Sequence, residues 1–116
     1  MELEYDLSEI RNNLENIGID IEATHMEYGP SQIEVIVKYG DALEVADKTV
    51  ILKNIFKEVA RKHGLYATFM AKPWAEESGN GLHVHQSIWD LELKNNAFEE
   101  DEKVATQYLA GLTNTL

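Results

Sequence analysis

Two groups of side chains in this sequence have the types and spacing to do chemistry. The first is a pair of carboxylates, Glu27 and Glu34, on either side of the turn residues Gly29-Pro30-Ser31. A hairpin centred between Pro30 and Ser31 sets Glu27 opposite Glu34. Like charges directly opposite each other on paired strands repel, so the arrangement persists most naturally with a cation held between them. A longer loop that lets both carboxylates point into water is the plainer alternative. The second group is Gly79-Asn80-Gly81-Leu82-His83-Val84-His85-Gln86-Ser87. Side chains alternate along a strand, so His83, His85 and Ser87 would share one face while Leu82, Val84 and Ile88 take the other. Two imidazoles and a hydroxyl in line can bind a metal or phosphate oxygens, and the preceding glycines let backbone approach a small ligand closely. On a solvent-facing strand the same His-x-His pair can equally be inert.

These groups must be positioned by short elements. Asp6 and Glu9 have capping-box spacing, Ile10, Leu14 and Ile17 follow at i, i+4 and i+7, and Gly18 stops the run, which predicts a helix over about residues 7–17. Ile19, Ile21 and Ala23 alternate with polar residues, and alternation resumes after the turn at Ile33, Val35 and Val37, which predicts a hairpin. Asp41 and Glu44 open a long second helix with an apolar face through Leu43, Ala46, Val50, Ile55 and Val59, ended by His63-Gly64. Tyr66–Met70 reads as a buried strand, Lys72–Gly81 as a loop, Leu82–Asp90 as a strand and Glu102–Leu112 as a last helix. The order α-β-β-α-β-β-α is that of an α+β domain with an antiparallel sheet packed with helices.

The 116 residues suit a single domain, and 44% hydrophobic content is enough for a modest core. There is no cysteine, so any metal is held by oxygen and imidazole. With 10 basic and 21 acidic residues the net charge is −11, the wrong sign for a nucleic-acid surface. Divalent cations are the fitting partners. No run approaches a membrane span and the acidic start is unlike a signal peptide, so a cytoplasmic, membrane-free protein is expected.

The residues also carry a family resemblance. Gly18–Glu27, Gly29–Glu34, Ala42-Leu43-Glu44 with Ala46-Asp47, His63–Met70 with Lys72-Pro73, and Ser78–Ser87 together resemble, in order, the catalytic domain of glutamine synthetase. The resemblance implies that ATP and glutamate form an acyl phosphate at a site with two Mg²⁺ or Mn²⁺ ions, after which ammonia displaces phosphate. By position it implies Glu27 and Glu34 as ligands of one metal and His83 as a ligand of the other. It implies nucleotide contacts for Glu22, His85 and Ser87, and a glutamate contact for Gly79. It also implies a homo-oligomeric ring for the full-length parent.

The departures are specific. His25 is followed by Met26, where the family commonly has a second histidine. Ser78 stands where the family commonly has an asparagine that contacts glutamate, which resembles the branch containing gamma-glutamyl-polyamine ligases and opens the acceptor to amines other than ammonia. Arg11 and Arg61 are the two arginines, whereas the family carries an arginine-rich phosphate-binding segment and a Glu-x-Glu strand. The expectation is therefore a catalytic-domain fragment of an ATP-dependent glutamate–ammonia or glutamate–amine ligase, inactive in isolation. A stand-alone metal- or nucleotide-binding regulatory module is the alternative from another class, and a structural domain with relic site residues is the plainest.

Overall fold

The structure, a computed structural model, describes residues 2–115, with side chains described from residue 7 onward. The chain divides into two compact units, Met1–Gly81 and Leu82–Leu116. The first contains α1 (Glu2–Asn16), β1 (Ile21–Met26), β2 (Ile33–Val37) and α2 (Ala42–Lys62), and the second contains α3 (Ala97–Glu100) and α4 (Glu102–Thr115). Helices with a two-stranded antiparallel sheet make this an α+β protein.

Both long helices of the first unit end in the same way. After α1, Ile19 N–H donates to the Leu14 carbonyl at 2.9 Å and Gly18 N–H to Glu15 at 3.0 Å. After α2, Leu65 N–H donates to Ala60 at 2.8 Å and Gly64 N–H to Arg61 at 3.1 Å. These are Schellman closures, and they need a left-handed residue that glycine supplies without steric cost, here Gly18 at φ 79° and Gly64 at φ 72°. The first closure carries its hydrophobic contact too, since Leu14 and Ile19 are both buried. At the start of α2, Asp41 caps by accepting from Leu43 N–H at 3.0 Å. Glu44, expected to complete a capping box, pairs instead with Lys48 one turn on, at 2.6 Å.

The core is one cluster of Ile10 and Leu14 from α1, Ile19, and Leu52, Phe56 and Val59 from α2, with Ile21, Val35 and Val37 of the sheet packed against it. Both expected stripes hold in part: Ile10 and Leu14 of α1 and Val59 of α2 are buried and Ile55 packs against the core, while the other members depart from it. Helix α1 begins at Glu2, so Asp6 lies within it rather than at its cap, and it buries Ile10 and Leu14 while Ile17 is exposed. Helix α2 buries Leu52, Phe56, Val59 and Ala60, not the face through Leu43 and Val50, which are exposed. The bulk of Phe56 decides the phase, because turning it outward would forfeit more apolar burial than Val50 returns.

Two expected strands do not form. Residues 65–70 are irregular, yet their side chains alternate: Ala67 packs on the core and Phe69 meets the Phe56 ring edge-on at 6.1 Å, while Tyr66 is exposed. Lys53 Nζ also stands 5.6 Å from the centre of the Phe69 ring. The period of two was real, but no ladder partner lies alongside among the described residues. Residues 82–88 likewise form no strand, and Leu82 and Val84 are exposed rather than core.

Within the second unit, Val84 and Gln86 line a shallow cleft with Phe98, Ala105, Tyr108 and Leu112. Tyr108 O–H donates to Gln86 Oε1, and the Phe98 and Tyr108 rings lie 5.3 Å apart. An isolated bridge pairs Trp89 with Asn96.

Leu14→Ala should lower stability by about 2–5 kcal/mol, since it empties a fully buried site, whereas Ile17→Ala should change it by under about 1 kcal/mol. Urea melts of the two variants check the assigned phase of α1. Val84→Asp, which a core strand would not tolerate, should leave the melt of the first unit unchanged.

Candidate functional site

The acidic hairpin is built by its turn and by one extra residue. Gln32 N–H donates to the Gly29 carbonyl at 3.0 Å, closing a turn with Pro30 and Ser31 at its centre. Ser31 has φ 57°, the left-handed position of a type II turn, and Pro30 sits where such a turn favours proline. Glu27 N–H then donates to the Gln32 carbonyl at 2.9 Å, so the strands pair Glu27 with Gln32, Met26 with Ile33, and His25 with Glu34. The turn is centred where expected, but the strand pairing is shifted, so that each residue of β1 faces a β2 residue two positions earlier than expected. Glu27 therefore does not face Glu34; the two stand diagonally on one face, two pairs apart.

Farther down the hairpin Ala23 pairs with Ile36 but Ile21 pairs with Val37, leaving Glu22 as the extra residue of a β-bulge. Below the bulge Ile21 faces the core. Above it Thr24, opposite Val35, is the core-side residue and accepts a hydrogen bond from Arg11 Nη2 of α1 at 3.0 Å. Without the bulge, strict alternation would have put Ala23 and His25 on the Ile21 side. With it, His25 and Glu34 share the opposite face, which Glu27 and Gln32 extend toward the turn.

That face is where a cation could be held. Diagonal carboxylates on a sheet stand about 7–8 Å apart at their backbones, within reach of two glutamate side chains, and the direct opposition that would have made a cation obligatory is relieved. Carboxylates are the donors a hard cation such as Mg²⁺ or Mn²⁺ takes. Among the described residues no three His, Cys, Asp or Glu side chains gather into a group that could hold a metal ion, so Glu27 and Glu34 make a partial ligand set.

A second element is fastened to this hairpin. The loop from Met70 to Asn80 is closed at its neck by Asn80, whose N–H donates to the Ala71 carbonyl at 2.8 Å and whose Nδ2 donates to the Met70 carbonyl at 2.7 Å. Gly79 passes so close that a Cβ there would lie 2.8 Å from the Ala71 carbonyl oxygen. Lys72 Nζ donates to the Glu77 carbonyl, bracing the loop from inside. The neck is joined to the hairpin by Gln32, whose Nε2 donates to the Gly79 carbonyl at 2.8 Å and to Asn80 Oδ1 at 2.9 Å. Gln32 Oε1 accepts from Gly29 N–H at 2.9 Å, so the carboxamide is used at both ends. Sequence reasoning singled out Gly79 and its neighbour Ser78, and missed Gln32 and Asn80. An asparagine between two glycines and a glutamine closing a proline turn were the signals available.

The remaining candidates are exposed. Glu22 lies in the bulge, and His83, His85 and Ser87 lie on the irregular segment that opens the second unit. Ser87 Oγ accepts from Trp89 Nε1–H at 2.9 Å, which leaves the Ser87 hydroxyl hydrogen to donate elsewhere.

Two long helices, an acidic hairpin and a glycine-rich loop fastened to it define the first unit as a piece of an α+β domain. The model of the family described as glutamine synthetase, catalytic domain, matches residues 2–116, and the chain belongs to that family of enzymes. It is 52% identical over 85 residues to a glutamate–isopropylamine ligase of a Pseudomonas species, covering 73% of this chain and 18% of that protein. It is 50% identical over 76 residues to a glutamine synthetase of Methanocaldococcus jannaschii, covering 66% and 17%. With a glutamine synthetase of Clostridium saccharobutylicum it shares 41% over 108 residues, covering 89% and 24%. The chain thus spans about a fifth of the length of these relatives.

One group near the His-x-His segment is tuned by its surroundings. The Lys94 N–H that donates to Asp90 Oδ1 at 2.9 Å holds this exposed carboxyl below its ordinary value, with help from Asn95 Nδ2 on Oδ2 at 2.7 Å. A lowered folded-state value means that the ionised group supports the 90–95 loop above the ordinary aspartate range and that this support is lost as pH falls through the lowered value. NMR shifts of the Lys94 and Asn95 amides, followed downward from neutral pH, should show that transition, and Asp90→Asn should abolish it.

Proposed function

We propose that this chain is part of an ATP-dependent glutamate–amine ligase and that its hairpin supplies carboxylate ligands to a divalent cation. The observation that carries the reading is the shared face of Glu27 and Glu34, to which Gln32 ties the Gly79 loop. Joining a carboxylate to an amine requires an activated acyl group, because a free carboxylate resists nucleophilic attack. ATP meets that need by transferring its terminal phosphoryl group to the glutamate side chain; amine attack then releases phosphate. Bound Mg²⁺ or Mn²⁺ would neutralise charge on the transferring phosphoryl oxygens.

In this reading Glu27 and Glu34 hold one cation and His83 contributes to a second. Glu22, His85 and Ser87 contact the nucleotide, the last through the hydroxyl hydrogen that Trp89 leaves available. Ser78 and Gly79 contact glutamate, Gly79 through its backbone. The serine at position 78 and the relative named for isopropylamine both favour an organic amine over ammonia as acceptor. The partial ligand set of the described residues supports weak metal binding and no turnover by this chain alone, since phosphoryl transfer rests on positioning and on charge that two carboxylates do not complete.

Titration with Mn²⁺ should broaden NMR signals around Glu27 and Glu34 first, and Glu34→Gln should weaken the effect several-fold. Uniform broadening would sink the metal assignment. Phosphate release from ATP with glutamate and amine should stay at background; turnover that Glu34→Gln abolishes would instead reveal a self-sufficient enzyme.

A further inference from the structure

Gln32 stands apart from the assigned ligands. It lies at the turn, half-buried, and its carboxamide makes three hydrogen bonds: it accepts from Gly29 N–H at 2.9 Å and donates to the Gly79 carbonyl at 2.8 Å and Asn80 Oδ1 at 2.9 Å. The two donated bonds span 47 and 48 residues of sequence. They join the hairpin face that bears Glu27 and Glu34 to the loop that bears Ser78 and Gly79. No other side chain among the described hydrogen bonds links these two elements.

We propose that Gln32 is a positioning residue that couples the cation-binding hairpin to the substrate loop. This rests on the proposed reading of Glu27, Glu34, Ser78 and Gly79. The turn sets where Gln32 stands, because Oε1 is held by the Gly29 amide; the fixed carboxamide then orients its Nε2 hydrogens. One of them holds the Gly79 peptide plane. A carbonyl oxygen has two lone pairs, so the one left over is presented to a ligand in a set direction. The other holds Asn80, whose remaining groups clamp Met70 and Ala71. A cation that stiffens the hairpin face therefore also stiffens the loop, and by linkage an ordered loop favours the cation. Gly29 is part of the device: a Cβ there would lie 2.9 Å from Gln32 Oε1, so any larger residue displaces the carboxamide.

Amide exchange measured on this chain tests the role. Gln32→Glu keeps the acceptor for Gly29 N–H but loses both donors and sets a carboxylate against two oxygens; Gln32→Ala loses everything. Without metal, both variants should speed exchange of the Asn80 amide about tenfold, with the global melt unchanged. Gly29→Ala should do the same from a position that touches neither Gly79 nor Asn80. In the wild type, saturating Mn²⁺ should slow Asn80 exchange further, and Gln32→Ala should remove that slowing while Mn²⁺ still broadens Glu34. Unchanged Asn80 exchange in both Gln32 variants overturns the proposal, as does Mn²⁺ slowing that persists in Gln32→Ala. If Mn²⁺ does not broaden the hairpin of the wild type, the metal reading has failed and the coupling with it. The metal-free exchange then still reports whether Gln32 holds the loop.

Discussion

The extra residue in β1 governs what the rest of the first unit can present. Antiparallel strands give each residue a face by parity alone, and a single insertion reverses parity for everything beyond it. Below Glu22 the strand obeys the core, with Ile21 packed against it; above it, Thr24 takes the inner place and His25 joins Glu34 outside. The bulge lets one short strand serve two masters: an apolar layer that needs its first residues inward, and an acidic face that needs its last residues outward. A regular strand of the same composition would put Ala23 and His25 on the core side and turn Thr24 outward, away from Arg11.

The turn then adds what parity cannot. By resuming pairing at Glu27 and Gln32 it moves Glu34 two pairs away from Glu27, and by closing through Gln32 it puts a carboxamide at the tip of the hairpin. The acidic face, the turn and the glycine-rich loop are thus held as one hydrogen-bonded assembly, with Arg11 anchoring the sheet to α1 and the Glu9–His63 contact at 2.8 Å joining the two helices.

What could be read from the sequence was whatever depends on near neighbours. The helices announced themselves through Asp41, Gly18 and Gly64, because caps and left-handed exits are local chemistry. The hairpin was legible from its alternation and from Gly29-Pro30-Ser31. Its register was not, since a tight two-residue turn and the observed turn share the central residues Pro30 and Ser31 and differ by two positions in which residue faces Glu27, and nothing in Ile21-Glu22-Ala23 marks Glu22 as the one to bulge. Tyr66–Met70 and Leu82–Asp90 have the composition of strands, but a strand exists only beside a partner, and composition does not supply one. Gln32 and Asn80 were passed over because their roles depend on contacts across 48 residues. The glutamate and nucleotide contacts came from resemblance alone, whereas a cation at Glu27 and Glu34 was suggested by the hairpin as well.

The two Schellman closures bear on handedness. Each helix leaves through a residue whose backbone has the mirror-image sign of all its neighbours, φ 79° at Gly18 and φ 72° at Gly64. Glycine is used there because it is the one genetically encoded residue without handedness, and it brings with it extra freedom in the unfolded chain. At those positions, as at Ser31 with φ 57° and Leu93 with φ 54°, a right-handed fold asks for the opposite enantiomer. A D-alanine would match the required backbone and remove the freedom that glycine retains, so the sites mark where the twenty standard residues fall short of what this chain's geometry prefers.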